Sequence, residues 1–173
     1  MLAVTKITTT YSPREDRIRL AMASKDGETL ILWLSQRLVN HFIVEICRWL
    51  EAQVANVGGE SLQDRTVRIA ASMAQETAVA NIVPAKPVEP KSQPDEWLVS
   101  NIKCSLAEGA VKLVFTTDGD RDVARTTYSS DAMRQWLHIF HRIYQRAQWA
   151  TSAWPQWFID AEAQTPPTQR QLH

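Results

Sequence analysis

The chain has 173 residues, and its 19 Lys and Arg are matched by 19 Asp and Glu, for a net charge of zero. That balance excludes a uniformly basic nucleic-acid protein and a long acidic tail. A hydrophobic content of 45% with 22% charged residues excludes a disordered chain and allows a sizeable core.

From the N-terminus, Val4–Tyr11 reads as a strand rather than as a charged region leading into an apolar leader. A turn follows at Ser12–Asp16. Ile18, Leu20 and Met22 then alternate with polar or small residues, the period of a half-buried strand. Asp26-Gly27 marks a hairpin, and Thr29–Leu34 is a third strand. Leu30-Ile-Leu-Trp-Leu34 is apolar on both faces, so both must be covered, by a helix at 62–82, by the Trp-rich C-terminal stretch or by a partner subunit. Ser35 is a good N-cap for a helix over about 36–55, whose broad apolar stripe runs from Leu38 to Leu50 through Phe42, Ile43 and Ile46.

Gly58-Gly59 ends that helix, and Ser61–Asp64 resembles a capping box. Residues 62–82 are Ala-rich and weakly amphipathic through Leu62, Ile69 and Met73, which predicts a connecting helix. Pro84 to Pro94 holds four prolines in eleven residues and reads as an extended linker.

The first pattern then returns. Trp97–Leu106 is a strand, Ala107–Gly109 a turn, and Val111, Leu113 and Phe115 align with Ile18, Leu20 and Met22. Asp118-Gly119 repeats the hairpin signal, Arg121–Tyr128 is the next strand, and Ser129 or Ser130 opens a helix over about 131–149 carrying Met133, Trp136, Leu137, Phe140, Ile143 and Tyr144. The fold class that follows is α+β. It is an internal duplication of a three-stranded antiparallel meander and a long helix, pseudo-twofold, with its strands in one continuous sheet or in two sheets packed through the helices. The segments are 1–57 (first repeat), 58–83 (connecting helix), 84–95 (linker), 96–150 (second repeat) and 151–173 (a Trp-rich segment with a tail frayed from about 161).

Chemistry is sparse. His138 and His141 share a helix three residues apart, a spacing that can hold a metal, but projection sets His138 opposite the apolar stripe and both read as solvated. Cys47 and Cys104 lie in apolar surroundings and read as inert thiols, which suits the cytoplasm. No nucleophile elbow or phosphate-cradling glycine loop occurs, and the acidic residues fall at turns. The expectation is therefore a non-enzyme without metal or cofactor, and without a membrane span, since no apolar run reaches the roughly 18 residues that one needs.

Two binding surfaces are candidates. If Ile18, Leu20 and Met22 point inward, one outer face collects Lys6, Arg17, Arg19, Lys103, Lys112 and Arg125, with no acidic residue mid-strand. With Trp97, and also Trp33 and Tyr128, at its margin, such a face suits single-stranded nucleic acid. The same residue types also serve as ordinary polar cover of a solvated sheet. Trp33, Trp154, Trp157 and Phe158 are anchors for a protein interface, in a homodimer or with another partner, or else the C-terminal three form a flap folded back on the core. The function expected is a non-enzymatic interaction or scaffold module that self-associates; the alternative is a single-stranded nucleic-acid binder.

The junction Leu32-Trp-Leu-Ser-Gln-Arg37 resembles one in an uncharacterised family of bacterial proteins, with a Leu-Trp-Leu-(Ser/Thr)-x-Arg sequence after an Asp-Gly hairpin. The resemblance covers residues 4–50 and implies a bacterial source but no function. In architecture, the duplicated unit is similar to the Whirly and PUR-type single-stranded nucleic-acid-binding proteins, which have a further strand per unit and whose sequence motifs are missing here.

Overall fold

The computed structural model describes residues 1–57, 64–91 and 93–164. Gly58-Gly59, most of the capping box with Leu62, Ser92 and the tail from 165 lie outside them. The element order is β1 (Leu2–Ser12), β2 (Arg17–Ser24), β3 (Thr29–Leu34), α1 (Gln36–Val57), α2 (Asp64–Ala80), β4 (Asp95–Ala107), β5 (Ala110–Thr117), β6 (Arg121–Ser129), α3 (Ser130–Ala147) and α4 (Gln156–Gln164). The class is α+β, and the six strands close into a barrel in chain order.

Each trio, β1–β2–β3 and β4–β5–β6, is an antiparallel meander. Two parallel seams join the trios. Leu30 to Trp33 of β3 pair with Asp95 to Leu98 of β4, and Leu2-Ala3 of β1 pair with Ala124-Arg125 of β6. A parallel seam needs a long crossover, which α1, α2 and the Pro-rich segment supply between β3 and β4. Of the two arrangements that the sequence allows, the strands form the one continuous sheet, here closed on itself, and not two sheets packed through the helices. Since β1, β3, β4 and β6 run parallel, β3 and β6 leave by the same end of the barrel. Helices α1 and α3 therefore start at the same end and meet further along, with the Phe42 and Trp136 rings 5.8 Å apart, and one hydrophobic core joins barrel and helices.

Local features recur in both halves. Each first strand carries an irregularity, between Val4 and Lys6 and between Val99 and Asn101. There the Thr5 hydroxyl donates to the Ala23 carbonyl (3.3 Å) and the Ser100 hydroxyl to the Thr116 carbonyl (3.2 Å). Ser35 Oγ accepts from the Leu38 N–H and Ser129 Oγ from the Ala132 N–H, so each long helix has a serine N-cap. Gly27 and Gly119 turn their hairpins at φ of +77° and +76°, a region that β-carbon sterics disfavour for other residues. Val39, Phe42, Ile43, Ile46 and Leu50 of α1 are buried, as are Met133, Trp136, Leu137, Phe140 and Tyr144 at the corresponding places of α3.

Inside the barrel, Ile18, Leu20, Met22, Leu32, Leu34, Val111, Leu113 and Phe115 are fully buried, as their alternation predicts. On the opposite face of β2 and β3, Ala21 and Ile31 are buried as well. Their cover is none of the three that the sequence offers. The Pro-rich segment straps that face, with the Val88 N–H donating to Thr8 Oγ1 (2.8 Å) and the Lys91 N–H to Thr29 Oγ1 (3.2 Å). Thr8 is the cross-strand neighbour of Ala21, and Ala21 of Ile31, so a strap between those two bonds crosses both.

Two further expectations are corrected. Ile69 and Met73 of α2 are exposed, at 53% and 61%, while Ala71, Gln75, Ala78 and Val79 are its buried face. Small residues let α2 approach α3 closely, and the polar members of the seam are bonded: Gln75 Nε2 donates to the Arg134 carbonyl, and the buried Arg134 guanidinium donates to the carbonyls of Ala71 and Leu50. A buried face of Ala and Gln carries little hydrophobic contrast, so periodicity selected the wrong side. The chain also stays ordered as helix α4 through Gln164, rather than fraying from 161.

Candidate functional site

The closed barrel disperses the predicted basic face. Lys6 is on β1, Arg17 and Arg19 on β2, Lys103 on β4, Lys112 on β5 and Arg125 on β6. In a ring of six strands β2 and β5 are opposite members, so Arg17 and Arg19 face away from Lys112. All six do point outward, being exposed or half-exposed. Lys103 is neutralised by Asp122, at 2.8 Å. The Asp122 carboxyl is lowered by that bond and by one from Thr116. Asp122, beside the hairpin turn, is the second residue of β6. Trp97 has the Arg121 guanidinium 4.6 Å from its ring centre, so one ring face is already occupied from within the chain.

Lys112 and Arg125 do come together, at a cleft where β1 and β6 part. These strands pair only at Leu2-Ala3 and Ala124-Arg125, although β1 runs on to Ser12 and β6 to Ser129. A cavity of about 880 Å³ opens there. Its walls are Ala3, Val4, Thr5 and Ile7 on one side, and Arg125, Thr126, Thr127 and Tyr128 on the other, with Lys112 behind them. Its floor is α3, through Ala132, Gln135, Trp136 and Ile139, and Ile82-Val83 just beyond α2 form a lip. Among the described residues no carboxylate lines it.

The floor is held firmly. Trp136 is buried, stacks on Tyr128 (centroids 5.0 Å, planes 19° apart), and donates its indole N–H to Thr9 Oγ1 at 2.9 Å. Gln135 Nε2 donates to the Ala78 carbonyl, tying the floor to α2. Burial pushes the Tyr128 hydroxyl upward, so it stays a neutral phenol. The cleft thus combines two cations, several hydroxyls, strand edges and an apolar floor. Periodicity identified Tyr128 as a marginal aromatic and Trp136 as core. It carries no signal for the point where two distant strands diverge, on which the cleft depends.

The interface candidates fare differently from one another. Trp154, Trp157 and Phe158 are 5%, 3% and 0% exposed and pack within the chain itself, so of the two readings they follow the flap and not the exposed interface anchors. Trp154 and Phe158 rings lie 4.6 Å apart, and Trp157 donates its indole N–H to Glu51 on α1. Trp33 remains half-buried on the barrel wall, its N–H donating to Glu96 Oε2 at 2.9 Å.

The flap also overturns the solvated reading of the histidines. His138 and His141 are each 4% exposed, because α2 and the C-terminal flap with α4 pack on the side of α3 away from its core stripe. His138 Nδ1 contacts Glu162 at 2.7 and 2.9 Å, and His141 Nδ1 is 3.7 Å from the same carboxylate. Burial raises the Glu162 carboxyl, but the hydrogen bonds and charges of the two histidines outweigh it and hold the group at about 2. Among the described residues no group of three or more His, Cys, Asp or Glu is arranged to hold a metal ion. These contacts join α3 to α4 as a clasp. Cys47 and Cys104 are both unbridged, and burial pushes the Cys104 thiol up to about 12 and Cys47 higher still. No helix of the described residues is long and apolar enough to cross a membrane.

No protein-family model, curated protein or solved structure matches the chain.

Proposed function

We propose that this protein is a non-enzymatic binding module whose working surface is the cleft between β1 and β6, and whose ligand carries negative charge. The observation that carries this reading is the cleft lining: Lys112 and Arg125 stand at its rim, and no carboxylate among the described residues opposes them. A fluorescein-labelled polyglutamate and a labelled oligothymidylate, titrated at low and physiological salt, provide the test. Binding of at least one that weakens as salt rises supports the reading; no binding of either at low salt refutes it.

The sheet-wide nucleic-acid reading is the weaker one, because the barrel separates its cations and the Trp97 ring is engaged by Arg121. Self-association is weaker too, with three of its four anchors inside the chain's own core. We also read the two halves as copies of one ancestral unit. The shared irregularity, hydroxyl bond, serine cap and hairpin glycine support that reading. A cytoplasmic setting is supported by two unbridged cysteines.

A further inference from the structure

The two parallel seams of the barrel differ in how they end. At the β3–β4 seam four residue pairs are made, and α1 meets β4 and its turn beyond them: the Trp49 indole N–H donates to the Ala107 carbonyl (3.0 Å), and Gln53 Oε1 accepts from the Gly109 N–H (2.7 Å). At the β1–β6 seam two pairs are made. The place of Trp49 is taken there by Ile143, which has no side-chain donor. Past Arg125, residues Thr126 to Ser129 keep their pairing with β5 on one edge, while β1 supplies no strand partner on the other. The cleft is thus walled by two strand edges whose backbone N–H and C=O groups have no strand opposite them among the described residues.

An edge of this kind calls for alternating donors and acceptors at the strand repeat. An extended polypeptide supplies them, and its side chains point alternately to the two faces. Toward the interior they would meet Trp136, Ala132 and Ile139, the last 38% exposed. Toward the outside they would meet Lys112 and Arg125, so acidic residues at alternate positions fit. The open edge from Thr126 to Ser129 spans about 13 Å, at ~3.3 Å per residue. A nucleic acid strand fits less well. Its phosphates would find the two cations, but it cannot match a strand edge, and the Trp136 ring is buried against Tyr128 instead of being offered to a base.

We propose that the cleft takes an extended acidic peptide segment of a partner protein, added as a strand between β6 and β1. This rests on the cleft being the working surface. The probes are pooled eight-residue peptides with Glu or Asp fixed at alternate positions and mixed residues between, fluorescein-labelled; the same pool with Lys at the fixed positions; the acidic pool with alternate backbone nitrogens methylated; and a labelled oligothymidylate. Anisotropy reports binding, and amide hydrogen exchange reports protection at Thr126–Ser129.

The expected result is binding of the acidic pool, slowed exchange at those amides, little binding of the Lys and methylated pools, and a loss of about tenfold or more in the Lys112→Glu/Arg125→Glu variant. Lys112→Gln/Arg125→Gln, checked for folding by its circular dichroism melt, gives a smaller loss in the same direction. Equal binding of methylated and unmethylated acidic pools, or unchanged exchange, overturns strand addition and leaves the anion-binding cleft standing. Binding of the oligothymidylate alone overturns the peptide in favour of nucleic acid at the same cleft. No binding of any probe overturns both the proposal and the reading beneath it.

Discussion

Phe158→Ala separates the two roles open to the Trp-rich C-terminal stretch. Phe158 is fully buried, with ring centres of Trp154, Trp157 and His141 at 4.6, 5.6 and 5.6 Å. Truncating such a ring removes its burial and leaves a cavity, together costing about 3–5 kcal/mol. For a chain of this length each kcal/mol lowers the melting temperature by roughly 2–4 °C, so the drop is on the order of 10 °C. Thermal denaturation followed by circular dichroism, repeated over a wide range of protein concentration, is the assay. The expected outcome is a large drop that does not depend on concentration, because the lost contacts are intramolecular. A drop under about 2 °C, well below the cavity cost, would refute the placement of α4 in the core. So would a drop that dilution alone reproduces in the unaltered protein.

Other expectations concern the clasp, the thiols and a hairpin. Glu162 is held at about 2, below its ordinary 4.5, so its stabilisation is fully present above about pH 4.5 and is lost as pH falls toward 2. The shift sets an upper bound of about 3 kcal/mol. Urea midpoints of the unaltered protein and Glu162→Gln should therefore differ most near neutral pH and converge at strongly acid pH; a gap that stays constant with pH counts against the clasp. Because burial raises both thiols, Cys47 and Cys104 should react with a thiol reagent only in denaturant, and rapid labelling of the native protein would contradict their environments. Gly119→Ala should cost about 1 kcal/mol through its positive φ alone, since nothing lies within 4 Å of the added β-carbon. No loss in urea denaturation would show that the turn readjusts freely.

Much of the local structure was legible because it follows from local rules. Alternation at Ile18, Leu20 and Met22 and at Val111, Leu113 and Phe115 placed the inward faces, serines marked the helix starts, and Asp-Gly marked the hairpins. What stayed hidden depends on parts of the chain that meet across long separations. Barrel closure rests on Leu2-Ala3 finding Ala124-Arg125, a parallel seam with no sequence signature. The exposed rendering of His138 failed because projection along α3 knows nothing of α4, which arrives from beyond its end to bring Glu162. The strap over Ile31 likewise uses backbone N–H groups of Val88 and Lys91, which no side-chain pattern reports. Of the basic set, the outward direction was legible from alternation, but the grouping of Lys112 with Arg125 required the ring order of the strands.

The most direct test of the cleft compares two charge reversals of equal size on opposite strands of the barrel. Lys112→Glu/Arg125→Glu and Arg17→Glu/Arg19→Glu each replace two cations with two carboxylates, so they alter net charge alike and differ only in place. Anisotropy titration of labelled polyglutamate at low salt is predicted to show binding by the unaltered protein and the Arg17/Arg19 variant, and about tenfold or weaker binding by the Lys112/Arg125 variant. Equal losses in both variants would contradict the account, since the attraction would then come from the overall charge and not from the cleft.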